Sequence, residues 1–444
     1  MKKPFYYPML FAAGLCLATS CGDDDNTTPE PPPGGQPSGP VASMEAAQQE
    51  ITSVGQELVA RIDAERLKPF VSLADYCLYT FSAKESVEQG GSIAPGHSFN
   101  ALMRTLGDCA QGDIATLASK RAIGDIYQLS DYYGTWVWND ADLQWDQTSP
   151  GSTSSMTYQF EYEGQTCVVE VAGSGGEFDF VREDSTGYVY SETYKVPATI
   201  TATVKQGGTL IASLTLNTTA CSFADKTYAA NATFETGGYT IAASIDDRNT
   251  SAVANAELRD GNEVLISMQN NLSGNNLGDI EAFEYEYFDG ARDLKAGTLA
   301  YNILGRISLN ISADNNAGDL ADAFDYYGDY MYYEGDTTGT LETVREAARL
   351  QAQAAADKAN QYSNASLFFN GSSYSVPVKW QPVLVNEWGY TDGWGFNVQG
   401  GEWSVEPVLN FEDGTTYTIE QYFTEERFRP LLDTFQGLAD QFDF

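Results

Sequence analysis

The sequence predicts an α+β fold: a large antiparallel β-meander with one apolar face covered by helices, an α-rich N-terminal segment and a C-terminal helix. Two changes of period carry this reading. Apolar residues recur at three- and four-residue spacing in residues 43–67, alternate with polar residues from Gly134 onward, and return to helical spacing in 341–362 and 428–438. Glycine-containing turns punctuate the alternating region at hairpin intervals.

In chain order, Ile51, Val54, Leu58, Val59 and Ile62 mark one face of a helix over residues 43–67. Residues 99–123 hold one or two further short helices, broken at Gly107 and Gly112. Strands begin at Gly134. A turn at Asn139-Asp140-Ala141-Asp142 pairs Trp138 with Leu143 and Trp136 with Trp145, which puts all four on one face, read as core.

Three later hairpins can be registered from their turns. Around Gln206-Gly207-Gly208, Val204 pairs with Leu210, Ala202 with Ala212 and Ile200 with Leu214. Around Gly237-Gly238, Phe234 pairs with Ile241, Ala232 with Ala243 and Ala230 with Ile245. Around Asp260-Gly261-Asn262, Leu258 pairs with Val264, Ala256 with Ile266 and Ala254 with Met268, with Arg259 opposite Glu263. A one-residue slip would turn each apolar set to water, so agreement between turn and face fixes the register.

The small mid-strand residues Ala202, Ala212, Ala232, Ala243 and Ala256 leave room for a close cover. The expected covers are the helix at 341–362, rich in alanine, and a C-terminal helix with Phe428, Leu431, Leu432, Phe435 and Leu438 on one stripe. Pro430 is expected in that helix's first turn. Further strands fall in 366–385 and 386–420. The expected organisation is a signal segment (1–20), an anchor and linker (21–42), a helix-rich segment (43–130), the meander (131–316), and helices with short strands packing on it (317–444).

Charge narrows the partners. With 62 Asp plus Glu against 24 Lys plus Arg, the field repels polyanions, which excludes nucleic acid. His97 is the only histidine, and no nucleophile elbow, phosphate-binding loop or histidine zinc motif occurs. Neither a cofactor nor a metal is expected. Asp314 to Asp319 is read as a polar loop, since it lacks the EF-hand pattern. The expectation is a non-catalytic protein, although a carboxylate pair could run glycoside hydrolysis without histidine.

The N-terminus gives the compartment. Lys2 and Lys3 precede a short apolar run, then Ala18-Thr19-Ser20-Cys21 and the acidic Gly22-Asp23-Asp24-Asp25. This order resembles the signal, lipobox and surface-export run of Bacteroidota outer-membrane lipoproteins. The resemblance implies lipidation at Cys21, a mature chain starting there, and a cell-surface protein held by its acyl chains. Residues 26–42 form a Pro-, Gly- and Thr-rich spacer. Asp184-Ser185-Thr186 and Asp336-Thr337-Thr338 resemble the O-glycosylation triplet of the same lineage. In an exported chain Cys77, Cys109, Cys167 and Cys221 are disulfide candidates. The pairing Cys77–Cys109 with Cys167–Cys221 keeps each bond within one apparent segment.

The ligand-binding candidates lie near the C-terminus: Trp388, Tyr390, Asp392, Trp394, Phe396 and Trp403. A hairpin turning at Asp392-Gly393 puts Trp388 and Tyr390 on one face, Trp394 and Phe396 on the other. Both faces cannot be core in a half-exposed sheet, so one pair is available as a platform. Flat rings suit sugar faces, with Glu387, Asp392 and Asn397 placed to take hydroxyls. The expected function is glycan binding at the cell surface, with further protein partners there. The alternatives are a carrier of an apolar ligand, such as a lipid held under a helix on the alanine-lined face, and a structural or adhesive role.

Overall fold

The computed structural model describes residues 39–82, 133–150, 154–183, 191–222, 227–275, 277, 294–313, 328–334 and 339–442. The fold is mostly a large, mixed, open sheet with a few helices, consistent with the α+β class. Two compact units divide the described chain: residues 56–269 with 432–442, and residues 39–55 with 270–431.

Two helices stand where one was expected, α1 (Met44–Arg61) and α2 (Ala64–Ser82). Asp63 separates them and starts α2, its carboxylate accepting the Glu65 N–H at 3.1 Å. Pro69 lies inside α2 without ending it. A proline in a helix interior costs about 3 kcal/mol. Tertiary packing offsets that cost here, since Phe70, Leu73, Ala74, Cys77 and Phe81 form one buried stripe.

The strands of this first unit are β1 (Gly134–Asn139), β2 (Gln144–Pro150), β3 (Ser155–Tyr162), β4 (Gln165–Glu183), β5 (Ser191–Gln206), β6 (Thr209–Ser222), β7 (Thr227–Thr236), β8 (Tyr239–Arg248), β9 (Ser251–Asp260) and the start of β10 (Glu263–Gly274), whose residues from 270 on belong to the second unit. From β3 to β9 each pairs antiparallel with the next. β1 departs from the expected meander, pairing antiparallel with β2 and parallel with β3.

Register aligns the buried residues into lateral rows. One runs Met156, Val171, Ala202, Leu214, Phe234, Ile241, Leu258 across β3 to β9. The α2 stripe belongs to the same core, with Phe70 5.2 Å from Phe234 between ring centroids. On the opposite pleat Thr199, Asn217, Asn231, Ser244 and Asn255 form a polar row. Side-chain hydrogen bonds link Thr199 to Asn217 (3.0 Å) and Asn217 to Asn231 (3.2 Å).

The expected registers fare unequally. The Gly237-Gly238 hairpin has the expected pairs. At Gly207-Gly208 the loop is two residues and a bulge follows, so Val204 opposes Ala212, Ala202 opposes Leu214, and Leu210 is exposed. β9 and β10 leave only Gly261-Asn262 between them, and Leu265 is buried instead of Val264 and Ile266. A loop one residue shorter inverts the face. Arg259 binds Glu257 two residues back at 2.7 Å, and Glu263 pairs with Arg61. In the first hairpin Trp138 opposes Trp145, while Leu143 lies exposed in the loop with φ 56°.

Register also rules out the Cys167–Cys221 disulfide. Cys167 opposes Gln206, and Gln206 opposes Thr209 at the start of β6. Cys221 is twelve residues further along β6, or about 40 Å at ~3.3 Å per residue. Disulfides need Cα atoms within roughly 7 Å. Cys77 and Cys167 are both buried thiols, and Cys109 lies outside the described residues.

The second unit contains β11 (Leu294–Ile303), β12 (Ile307–Ala313), β13 (Gly328–Tyr333), α3 (Leu341–Tyr362), β14 (Ser363–Phe369), β15 (Tyr374–Thr391), β16 (Asn397–Asn410), β17 (Thr416–Thr418), the turn α4 (Ile419–Tyr422) and the start of α5 (Glu425–Ala439), whose residues from 432 on belong to the first unit. Antiparallel neighbours run β11, β12, β14, β15, β16. The far edge of β16 pairs with β13 along Val398–Trp403 and with β17 along Val408–Asn410. Helix α3 starts at a Thr340–Thr343 capping box. Its Ala355, Ala356 and Ala359 pack with Ala313, Trp380 and Val405, so this helix serves its own sheet. A stripe of alanines permits close approach to the Trp380 indole, and Asn360 binds the Trp380 backbone N–H and C=O at 2.9 and 2.7 Å. In α5 the helical geometry breaks at Phe428 (φ −109°, ψ 18°), so Pro430 opens the segment after the break.

Candidate functional site

The site is a three-stranded ribbon, β13–β16–β15, within the second unit. Residues directly opposite share a face, so register sorts the side chains. One face carries the rows Asp329–Glu402–Asn386, Met331–Gly400–Trp388 and Tyr333–Val398–Tyr390. The other carries Tyr330–Gly401–Glu387 and Tyr332–Gln399–Gly389.

The second face is covered at Tyr330, while Glu387 and Gly389 at its β15 side stay exposed. Tyr330 is buried and its hydroxyl donates to Glu387 Oε1 at 2.7 Å. Arg345 from α3 reaches the same carboxylate at 3.1 Å. Burial pushes the Tyr330 hydroxyl pKa up, and the Glu387 carboxylate adds to this. Trp403 also lies on this side, opposite Leu384, with its indole Nε1 buried and unpartnered.

The first face is open. Trp388 and Tyr390 are exposed, their rings near-parallel at 22° with centroids 5.8 Å apart. Met331 and Tyr333 are exposed beside them, over a fully buried Val398. Gly400 explains the flatness of this surface. A Cβ there would come within 2.3 Å of the Trp388 indole, so the ring lies down across β16 because position 400 has no side chain. Gly401 does the same on the other face, where a Cβ would strike the Tyr330 ring at 2.8 Å. This glycine pair was not singled out as part of the site. Adjacent glycines inside an alternating strand were the available signal, since they mark close approach on both pleats.

The hairpin tip differs from the two-residue turn expected at Asp392-Gly393. Thr391 opposes Asn397, and Asp392 to Phe396 form the loop. Asp392 organises it: Oδ1 accepts from the Trp394 and Phe396 amides at 2.8 and 2.9 Å, and Gly395 takes φ 88°. Trp394 and Phe396 therefore leave the sheet, and Trp394 is 89% exposed.

Of the expected candidates, the structure brings together Trp388 and Tyr390, places Trp394 and Phe396 at the adjoining tip, and puts Trp403 on the opposite face. Asp392 is a turn former. Two other residues expected to meet hydroxyls are also engaged elsewhere: Glu387 by Tyr330 and Arg345, and Asn397 by Thr391 and Glu334. The open face instead presents Asp329, Glu402 and Asn386, which the sequence reading did not name. Cys21, His97, residues 99–123, the Asp314 to Asp319 loop and both glycosylation-like triplets lie outside the described residues. Among the described residues no cluster of three or more metal-ligating side chains occurs, and no helix is long and apolar enough to cross a membrane.

Comparison of the chain with protein-family models, characterised proteins and solved structures returned no match.

Proposed function

We propose that this chain is an exported, lipid-anchored, non-catalytic binding protein that takes glycans on the open face of the β13–β16–β15 ribbon. One observation carries the reading. Trp388 is laid flat over Gly400 beside a near-parallel Tyr390, and on the opposite pleat Tyr330 is buried and bonded to Glu387. An apolar ring pair held open in water matches the C–H face of a sugar, while Tyr hydroxyls and neighbouring carboxylates and amides can meet its hydroxyls. The lipobox-like run ending at Cys21 and the spacer after it support attachment to the outer membrane, facing the cell surface.

The apolar face of the meander is read as core covered by helices. In support, Phe70, Leu73 and Phe81 of α2 belong to the same buried cluster as Ala202, Ala212 and Ala232, and Phe70 lies 5.2 Å from Phe234.

Affinity electrophoresis of the full chain in mild detergent, through gels containing single polysaccharides, tests the proposal. Selective retardation, lost on Trp388→Ala and on Tyr390→Ala, is expected. Equal mobility of wild type and both variants across a broad panel would sink it.

A further inference from the structure

The polar row at the end of the platform carries a more specific inference, which rests on the glycan reading. Asp329 and Glu402 are directly opposite on β13 and β16, with Asn386 next to Glu402 on β15. Like charges directly opposite in a sheet destabilise it. The pair therefore works against the fold, in the row immediately next to Met331–Gly400–Trp388. None of the nine residues in the three open-face rows is Lys or Arg. The nearby guanidinium of Arg345 is bound to Glu387 on the other face.

We infer that Asp329, Glu402 and Asn386 form the hydroxyl-recognising edge of the platform, and that the ligand is a neutral, hydroxyl-rich glycan rather than a uronate- or sulfate-bearing one. Carboxylates accept hydroxyl protons in charge-assisted bonds roughly twice as strong as neutral ones. A sugar stacked on Trp388 presents its rim hydroxyls to the adjacent row, where two acceptors and an amide meet them. An anionic substituent in that position would face two carboxylates, with no Lys or Arg in the three rows to neutralise it. Binding in this geometry keeps each ring on an apolar surface and each carboxylate on a donor.

The test is the double variant Asp329→Asn/Glu402→Gln, compared with wild type and Trp388→Ala in gels holding either a neutral polysaccharide or a polyuronate at matched salt. Urea unfolding is measured on the same samples. Expected is retardation of wild type by a neutral polysaccharide only, and a loss of roughly tenfold in affinity for the double variant. Its urea midpoint should be equal to or above wild type, because the repulsion is gone. Unchanged retardation of the double variant, or Trp388-dependent retardation of wild type by the polyuronate, overturns this inference while leaving glycan binding standing. Failure of every polysaccharide to retard wild type overturns the glycan reading itself.

Discussion

Two aromatic clusters in this protein look alike in sequence and end in opposite environments. Trp136, Trp138 and Trp145 sit on a hairpin in the first unit, and Trp388 and Tyr390 on a hairpin in the second. The first cluster is half-buried and packs against α2. Phe81 lies 4.6 Å from Trp138 and 5.1 Å from Trp145, and Trp138 meets Trp145 edge-on at 5.3 Å. The second cluster turns away from its helix, since α3 packs on the opposite pleat through Tyr330, Glu387 and Arg345. Alternating aromatics thus report a strand, and a neighbouring element decides whether they become core or surface. The edge-on contacts of the first cluster are those of a packed interior. The flat lie of Trp388 across a glycine is a surface arrangement.

The contrast can be broken most severely in the closed cluster. Phe81→Ala should cost about 3–5 kcal/mol, because the buried ring packs against Tyr76, Trp138, Trp145 and Phe160. By the same urea measurement Trp388→Ala should cost less than about 1.5 kcal/mol, since much of its ring already faces water. Equal costs would mean that Trp388 is core.

The closed core should also show in alkali. Burial pushes the Cys77 thiol well above its ordinary range, with Cys167 adding to the shift, and raises Cys167 to about 11, with Glu161 and Glu163 contributing. The folded state thus holds these protons more tightly than the unfolded chain. For Cys167 the contribution to stability is complete below the ordinary thiol value of about 8.5 and is lost as pH rises from there through about 11, and Cys77 acts in the same direction. The urea midpoint of Cys167→Ala should fall less between pH 8 and 10.5 than that of wild type. Identical slopes would argue against a buried thiol.

On the open side, Gly400→Val should lift the Trp388 ring off β16 and abolish polysaccharide retardation. The stability change should stay within about 1 kcal/mol, strand propensity offsetting the displaced contact. Iodide quenching of tryptophan fluorescence should increase. Most local is Asp392→Ala, which removes two acceptor contacts in an exposed loop. It should cost about 0.5–1.5 kcal/mol and loosen Trp394 without disturbing the Trp388–Tyr390 pair, as amide exchange at 394 and 396 would report.

Legibility in the sequence followed locality. The Gly237-Gly238 hairpin was readable because turn type and face alternation agree within a short segment. The bounds of α3 were readable from its alanine-rich periodicity. α2 was missed because Pro69 falls within it, and only the sheet beneath it explains why the helix continues. Bulges and loops shorter by one residue moved Leu210 and Leu265 to unexpected faces, and alternation alone cannot place such irregularities. At the site, one exposed aromatic pair followed from the impossibility of two buried faces. Which pair it is, and which acids stand beside it, depends on β13, a strand distant in sequence that joins the edge of β16.

The central claim, that one aromatic cluster is a binding surface and the other a core, is tested most directly by residue-resolved oxidative footprinting of the full chain with and without a neutral polysaccharide that retards it. The account predicts strong labelling of Trp388 and Tyr390 that falls on ligand addition, with Trp138 and Trp145 weakly labelled and unchanged throughout. Ligand-dependent protection of Trp138 or Trp145, with Trp388 and Tyr390 indifferent to the polysaccharide, would contradict it.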